Sequence, residues 1–594
     1  MRENFHGFTF FYQYLGWRVL ALFVMSFLVG LFDGFSLALF MPLLELIGSE
    51  QRLATGAVDQ LGSLSFLTKG FDYIGVPMRA SYILLAIFIL LAFKAVFNFL
   101  GTYIGAIFQQ KLIRKVRLEN IEKVRSLQYE AYVTMDAGQI QNSLSTEVER
   151  VNAAFYSYIQ VLQFAILVMV YATLAFLANP QFAILVLVGS VISNRVFNIV
   201  YNATKKASRN ISDLGHRFHG ILIQFVANFK YLKATGLGVT YGDKLASEVR
   251  HLEREWRRIG FLNGIVEGIK EPLAIGIVIF VILVDLTFLG GDLSAIVLSV
   301  LFLYRALTYV MKLQTGYNRY LSFSGSMENL KSLQCQLEGQ RELVVANATE
   351  RIQSRLSAES VSFSYGKEPI LSNITFDIQR NTTVAFVGES GSGKTTLMNL
   401  LAGLLSPKSG QVLVDGVDLE SVNKQAFQSR IGYITQEPVI FDDSVFNNVT
   451  FWDERTPEAE ARCKEALEKA AVWSFIEEQP QGLETRLGNN GINLSGGQKQ
   501  RISIARELYK DIDFLFLDEA TSALDSETEQ AIQQNIEALK GQITIVMIAH
   551  RLSTVKHADK VIVLKKGRIE AEGSYQELQQ SSEIFKRMVE MQEL

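Results

Sequence analysis

The chain changes texture near its middle. A bilayer-spanning helix needs ~20 mostly apolar residues. Six segments reach that length: about 17–47, 81–109, 153–178, 181–203, 261–289 and 293–316. The third and fourth are joined by the turn residues Asn179 to Gln181, the fifth and sixth by Gly290 to Asp292, so each pair reads as a hairpin. Beyond about Arg351 the runs shorten and turn β-rich, as in "AESVSFSYG", "TVAFVGES", "RIGYITQ", "FLFLDEA" and "TIVMIAH", with helical segments between several of them. The pattern predicts an α-helical membrane domain of six transmembrane helices over 1–325, a linker over 326–350, and a soluble α/β domain over 351–594.

Charge orients the spans. Lys111, Arg114, Lys115 and Arg117 follow the second span, and Lys205, Lys206 and Arg209 follow the fourth. The tight connections carry no Lys or Arg. The positive-inside rule therefore places 110–152, 204–260 and both termini in the cytoplasm. The aromatic stretch "FHGFTFFYQYLGW" ahead of the first span is expected to form an interfacial elbow helix. The connection 48–80 is expected to form a short external amphipathic helix.

Composition narrows the classes. The 594 residues are 49% hydrophobic and 20% charged, too apolar for an ordinary soluble protein and too charged for an all-membrane one. A net charge of −3 gives no electrostatic footprint for nucleic acid. Two distant cysteines, Cys335 and Cys463, provide neither a disulfide framework nor metal-ligand spacing.

The C-terminal half carries nucleotide chemistry. "VGESGSGKTTL" is a phosphate loop between a strand and a helix, with Gly388, Ser390, Gly391, Gly393, Lys394, Thr395 and Thr396. Glycines admit phosphate oxygens to the backbone amides, Lys394 is expected to reach the β and γ phosphates, and the Thr395 hydroxyl to bind Mg²⁺. In "FLFLDEATSALD", Asp518 ends an apolar strand and is expected to hold Mg²⁺, and Glu519 to polarise an attacking water.

"LSGGQKQR", Leu494 to Arg501, resembles the signature of the ABC transporter ATPases. The resemblance implies that Ser495, Gly496, Gly497 and Gln498 contact ATP held by a second copy of the chain, so that two chains sandwich two ATPs. It implies that Tyr365 stacks on adenine, that Gln436 joins the Mg²⁺ site and senses the γ-phosphate, that Asp525 crosses the dimer interface, and that His550 contacts the γ-phosphate. Asn489 stands where these exporters often carry a glutamate. With Glu519 and the signature intact, a homodimer with two competent sites is favoured over a heterodimer. The cytoplasmic segments Tyr129–Gly138 and Phe229–Tyr241 are the candidate coupling elements.

Six spans followed by one ATPase domain resemble the exporter-type half transporters of bacterial inner membranes, with ATP and Mg²⁺ as cofactors. Charges inside the spans bear on the cargo, because arginine costs roughly 2.5–3.5 kcal/mol at a helix centre on insertion scales. Arg305 lies ~18 Å from the outer end of the sixth span and Asp33 ~21 Å from that of the first, with Lys94 at similar depth in the second. One layer with two cations and one anion leaves a positive charge per chain, which favours an anionic group such as phosphate. Glu267, Lys270 and Glu271 form a second charged cluster beside Pro272, where a kink is expected. Segments of the first and sixth spans and the 48–80 connection are similar to the lipid-linked oligosaccharide flippases of the PglK type. The expected cargo is therefore an amphipathic, anionic lipid, lipid-linked oligosaccharides included, with peptide or hydrophobic-drug export as the alternative.

Overall fold

A computed structural model describes residues 11–12, 14–40, 42–43, 71, 73, 75–77, 79–178, 180–284, 293–342, 354–366, 368–518, 530, 534, 536–549 and 555–593. The side chains of 178, 180–194, 196, 270, 274, 277–278, 281–282, 284, 293–301, 303 and 591–593 fall outside that description. Of the 48–80 connection, where the external helix is expected, 48–70, 72, 74 and 78 also fall outside it.

The chain divides into two compact units. One comprises Met1–Leu127 and Thr134–Arg341, the other Gln128–Val133 and Glu342–Leu594. The helices, in chain order, are α1 (Arg18–Ala38), α2 (Ala80–Arg125), α3 (Tyr129–Thr134), α4 (Ala137–Leu144), α5 (Thr146–Ala178), α6 (Pro180–Ala227), α7 (Phe229–Ala234), α8 (Gly238–Val284) and α9 (Leu293–Gly339).

Among the described residues, three helical stretches are long and apolar enough to cross a membrane: Arg18–Ala38, Ala80–Arg125 and Ala137–Leu177. The remaining apolar segments of the sequence fall in α6, α8 and α9. α2, α6, α8 and α9 continue well past their apolar runs as helix, in α6 and α9 through Gly215, Gly220, Gly316 and Gly325. Pro272 lies inside α8, and the helix assignment passes through it uninterrupted. At the N-terminal side, a turn at Gly16, with φ +60, separates a short helical stretch from α1. Phe11 of that stretch is buried against Phe155, with ring centroids 5.1 Å apart.

Small residues set the packing of this unit. α1 meets α5 at Gly30 and Gly34: a Cβ at Gly30 would lie 2.9 Å from Leu167 Cδ2, and one at Gly34 would collide with Leu174. α1, α5 and α9 then share a core of Ala38, Val170, Tyr171, Leu174, Phe302 and Ala306.

The second unit contains two sheets. Its strands are β1 (Arg355–Phe363), β2 (Leu371–Gln379), β3 (Thr383–Gly388), β4 (Ser409–Val414), β5 (Val417–Asp418), β6 (Ile431–Ile434), β7 (Phe514–Asp518), β8 (Thr544–Ile548), β9 (Lys560–Lys565) and β10 (Arg568–Gly573). The smaller sheet is ordered β2-β1-β4-β5 and antiparallel. The larger is ordered β10-β9-β3-β8-β7-β6 and parallel apart from β10. β3, β7 and β8 are buried almost throughout, as strands covered on both faces must be. Parallel strands bring their carboxyl ends to one edge, where ligands bind in open α/β sheets.

Candidate functional site

The phosphate loop leaves that edge from β3 and enters helix α10 (Lys394–Leu401). Its glycines are required by space as well as by backbone angle. Gly393 caps α10 in a left-handed conformation with φ +99, and a Cβ there would lie 2.7 Å from Leu371 Cδ2. A Cβ at Gly388 would collide with the Leu564 carbonyl oxygen. No side chain caps the α10 N-terminus, so its first amides and its positive dipole end suit an anion.

Lys394 is buried and folds back over the loop. Its ammonium donates to the carbonyl oxygens of Gly388 at 2.9 Å and Glu389 at 3.0 Å. Ser390, Gly391 and Thr395 are exposed on the loop, with Thr396 half-buried. Asp518 ends β7 in register with Ile548 of β8, and Ile548 is in register with Phe386 of β3, two residues before Gly388. Gln436 follows β6 at the same sheet edge and is exposed. Thr395, Gln436 and Asp518 offer only oxygen donors, the set a hard cation such as Mg²⁺ takes. Glu519, Asp525 and His550 lie outside the described residues.

The signature segment opens α11 (Gly496–Tyr509). Ser495 is its N-cap: the Ser495 hydroxyl accepts from the Gln498 amide at 3.3 Å, and Gln498 Oε1 accepts from the Ser495 amide at 2.9 Å. This reciprocal cap satisfies two orphan donors. It also engages the Gln498 side chain, which the sequence reading assigns to ATP, with its own helix. Ser495 and Gly496 remain exposed, and Gly497 is half-buried. Asn489 begins a tight turn over Asn489–Gly491, followed by the exposed Ile492.

Tyr365 stands on the buried Phe363, edge to face at 4.9 Å and 88°, and is 40% exposed, which leaves ring surface for a base. Burial, followed by the neighbouring Tyr129, pushes its phenol above the ordinary value. Lys408 packs against Phe363 of this wall and pairs with Glu130, and neither residue is in the sequence-derived site. Lys408 Nζ donates to Glu130 Oε1 at 2.8 Å and sits 5.6 Å from the Phe363 ring centroid. No motif marks residues 278 positions apart.

The proposed coupling segment Tyr129–Gly138 divides between the units. Gln128–Val133 belongs with the ATPase unit, and Gly138 with the helical one. Gly138 is held there by close approach to Gly220 of α6. Helix α7 stays with the helical unit and exposes Phe229 and Tyr231.

In the helical unit, Asp33 and Lys94 meet. Lys94 Nζ donates to Asp33 Oδ1 at 2.7 Å, and the Tyr171 hydroxyl donates to Asp33 Oδ2. The Asp33 side chain is 4% exposed and that of Lys94 33%, so the carboxylate is a buried junction of α1, α2 and α5. Arg305 is half-buried on α9, within electrostatic range of the Tyr171 and Tyr309 hydroxyls. Tyr309 stacks on Tyr171 at 5.4 Å, and Lys312 lies 5.0 Å over the Tyr309 ring. Arg305, Tyr309 and Lys312 share a helix face by i, i+4, i+7 spacing. Among the described residues, no carboxylate pairs with Arg305. Tyr171, Tyr309 and Lys312 were not legible as partners in the sequence. In the second charged cluster, Glu267 and Glu271 are exposed and the Lys270 side chain is outside the description. An apolar cleft of about 550 Å³ lies between α1 and α5, lined by Phe23, Phe27, Leu31, Phe35, Met169 and Leu177 among others.

Residues 19–313 match the family described as ABC transporter transmembrane region, and residues 371–522 the family described as ABC transporter. The heterocyst differentiation ATP-binding protein HepA of Nostoc sp. is 29% identical over 570 residues, covering 95% of this chain and 92% of the relative. The ATP-dependent lipid A-core flippase of Thiobacillus denitrificans is 31% identical over 532 residues, covering 86% and 88%. That of Francisella tularensis is 28% identical over 513 residues, covering 84% and 83%. In fold, the chain is similar to a bacterial Atm1-family ABC exporter solved with ATP bound, with a TM-score of 0.78, 23% identity, and coverage of 97% and 98%.

Proposed function

From a chain that belongs to the ABC transporter family, as an exporter with its transmembrane region fused to its ATPase domain, we propose a flippase for an amphipathic, anionic lipid. It works as a homodimer in a bacterial inner membrane and uses ATP with Mg²⁺. The observation that carries the cargo is the unequal fate of the two cations of this layer. Asp33 is taken up by Lys94 and Tyr171, while no carboxylate among the described residues pairs with Arg305. The layer thus retains a cation on a face that also carries Lys312. A guanidinium in a low-dielectric setting binds phosphate oxygens in a bidentate geometry. The apolar cleft between α1 and α5 is read as the place for an apolar chain. The relatives named lipid A-core flippases support a lipid cargo at the level of the family.

The proposed ATP chemistry starts from the loop. The α10 amides and Lys394 bind the phosphates, and ATP entry transfers the Lys394 ammonium from the carbonyls of Gly388 and Glu389 to phosphate oxygens. Tyr365 stacks on the base. Thr395, Gln436 and Asp518 would hold Mg²⁺, which would supply neutralisation of phosphate charge. Glu519 orients and deprotonates the attacking water, and His550 contacts the γ-phosphate. Ser495, Gly496 and Gly497 of one copy close on the nucleotide of the other, with Asp525 at the interface. Gln498 serves mainly to hold that N-terminus in place.

The reading is tested by purified protein in vesicles, assayed for ATPase stimulation by phosphorylated lipids, uncharged lipids, hydrophobic drugs and peptides. Selective stimulation by phosphorylated lipids is expected. Stimulation by peptides or neutral drugs alone would replace it with the other export class.

A further inference from the structure

We propose that Glu130 and Lys408 are positioning residues for the adenine wall, through which the connection between α2 and α4 sets the affinity for the base of ATP. The inference rests on the reading that Tyr365 stacks on adenine.

The contacts form a short, continuous path. The chain leaves the helical unit at Leu127 and returns to it at Thr134, and the six residues between belong with the ATPase unit. In that segment, both Glu130 carboxylate oxygens accept from Lys408 Nζ, at 2.8 and 3.0 Å. The Lys408 amide donates to the Ser362 carbonyl oxygen at 2.9 Å, and its ammonium lies over the neighbouring Phe363 ring. Phe363 in turn supports Tyr365 edge to face. Two side chains therefore separate α3 from the aromatic ring assigned to the base. A second arm runs beside it. Tyr129 lies within electrostatic range of Tyr365 and of Tyr433, and the Tyr433 hydroxyl donates to Asn399 Oδ1 of α10 at 2.9 Å.

The exposure of the pair decides what it does. The Lys408 and Glu130 side chains are 49% and 31% exposed, so the pair contributes little to folding stability. It does set where the ammonium sits on Phe363. A shift of α3 moves Lys408, and the cation–π contact carries the shift to the Phe363–Tyr365 pair. Linkage then makes the effect reciprocal: if α3 position changes affinity for the base, base occupancy biases α3 by the same factor. The Glu130–Lys408–Phe363 arm ends on Tyr365, on the base side, whereas the Tyr433 arm ends on Asn399 of α10.

The test uses the full-length protein in vesicles, with Glu130→Gln, Lys408→Met, Lys408→Arg and Tyr365→Ala. Glu130→Gln and Lys408→Met are each expected to raise KM for ATP roughly two- to fivefold, the range of an exposed ion pair, with kcat little changed. The double variant is expected to match Lys408→Met alone, and Lys408→Arg to keep the wild-type KM. Inorganic tripolyphosphate, which lacks a base, is expected to inhibit every variant at the wild-type concentration. Unchanged KM in Glu130→Gln and Lys408→Met, or an equal loss of tripolyphosphate binding, overturns the inference and leaves the adenine assignment standing. A wild-type KM in Tyr365→Ala overturns the adenine assignment itself, and the inference with it.

Discussion

Lys94 of α2 donates to Asp33 of α1 at 2.7 Å, and this one contact sorts the charges of the membrane layer. It couples a nearly inaccessible carboxylate to an ammonium that is one-third exposed, while Arg305 has no carboxylate partner among the described residues.

Breaking that pair from either side is expected to destabilise the helical unit. Lys94→Met strands Asp33 in the α1–α2–α5 junction, at a cost of about 1–3 kcal/mol, below the ~3–5 kcal/mol of a fully buried pair because Lys94 is partly exposed. The double variant Asp33→Asn with Lys94→Met is expected to recover much of the loss, since no uncompensated charge remains. Thermal unfolding of the detergent-purified protein measures both.

Arg305→Ala is expected to weaken the response to phosphorylated lipid. Loss of a charge-assisted contact of about 1.5–3 kcal/mol corresponds to a rise of roughly 10- to 100-fold in half-stimulating lipid concentration. Titration of ATPase rate against lipid provides the readout. An equal loss of basal and stimulated rates would mark Arg305 as a packing residue.

Glu519→Gln and Lys394→Ala are expected to fail differently. The first removes a general base, with a loss of about 10²- to 10⁴-fold in turnover, and retains ATP in a closed dimer. The second loses the phosphate contact and with it nucleotide affinity. Nucleotide binding and single-turnover hydrolysis separate the two, and wild-type hydrolysis by Glu519→Gln would reject its role.

Asp443 gives the ATPase unit an acid-sensitive element. Its carboxylate accepts from Trp452 Nε1 at 2.7 Å, from Asn447 Nδ2 at 3.0 Å and from the Ser444 amide at 2.7 Å. These bonds, that from Trp452 foremost, hold its pKa below the ordinary 3.8. A depressed folded-state value stabilises the fold above the unfolded pKa, and the contribution disappears as pH falls through the folded value. The unfolding midpoint of wild type is therefore expected to drop more steeply below about pH 4 than that of Asp443→Asn. Parallel curves would show that the hydrogen bonds survive protonation.

The sequence by itself determined the chemistry that is local along the chain. Gly388 to Thr396 form one continuous loop, so spacing alone specified a phosphate cradle, and the run ending at Asp518 specified a strand delivering a carboxylate. The apolar lengths specified spanning helices for the same reason, since hydropathy is a property of contiguous residues. The role of Gln498 was less legible, because an N-cap and a ligand contact draw on the same polar side chain. Only the tertiary structure decided that Asp33 neutralises Lys94, that Tyr171 and Tyr309 join the layer, and that Glu130 meets Lys408. Such pairings depend on the rotation and register of one helix against another. Hydropathy encodes depth and segment length but not that rotation, so residues at one depth became partners only once the helices were packed.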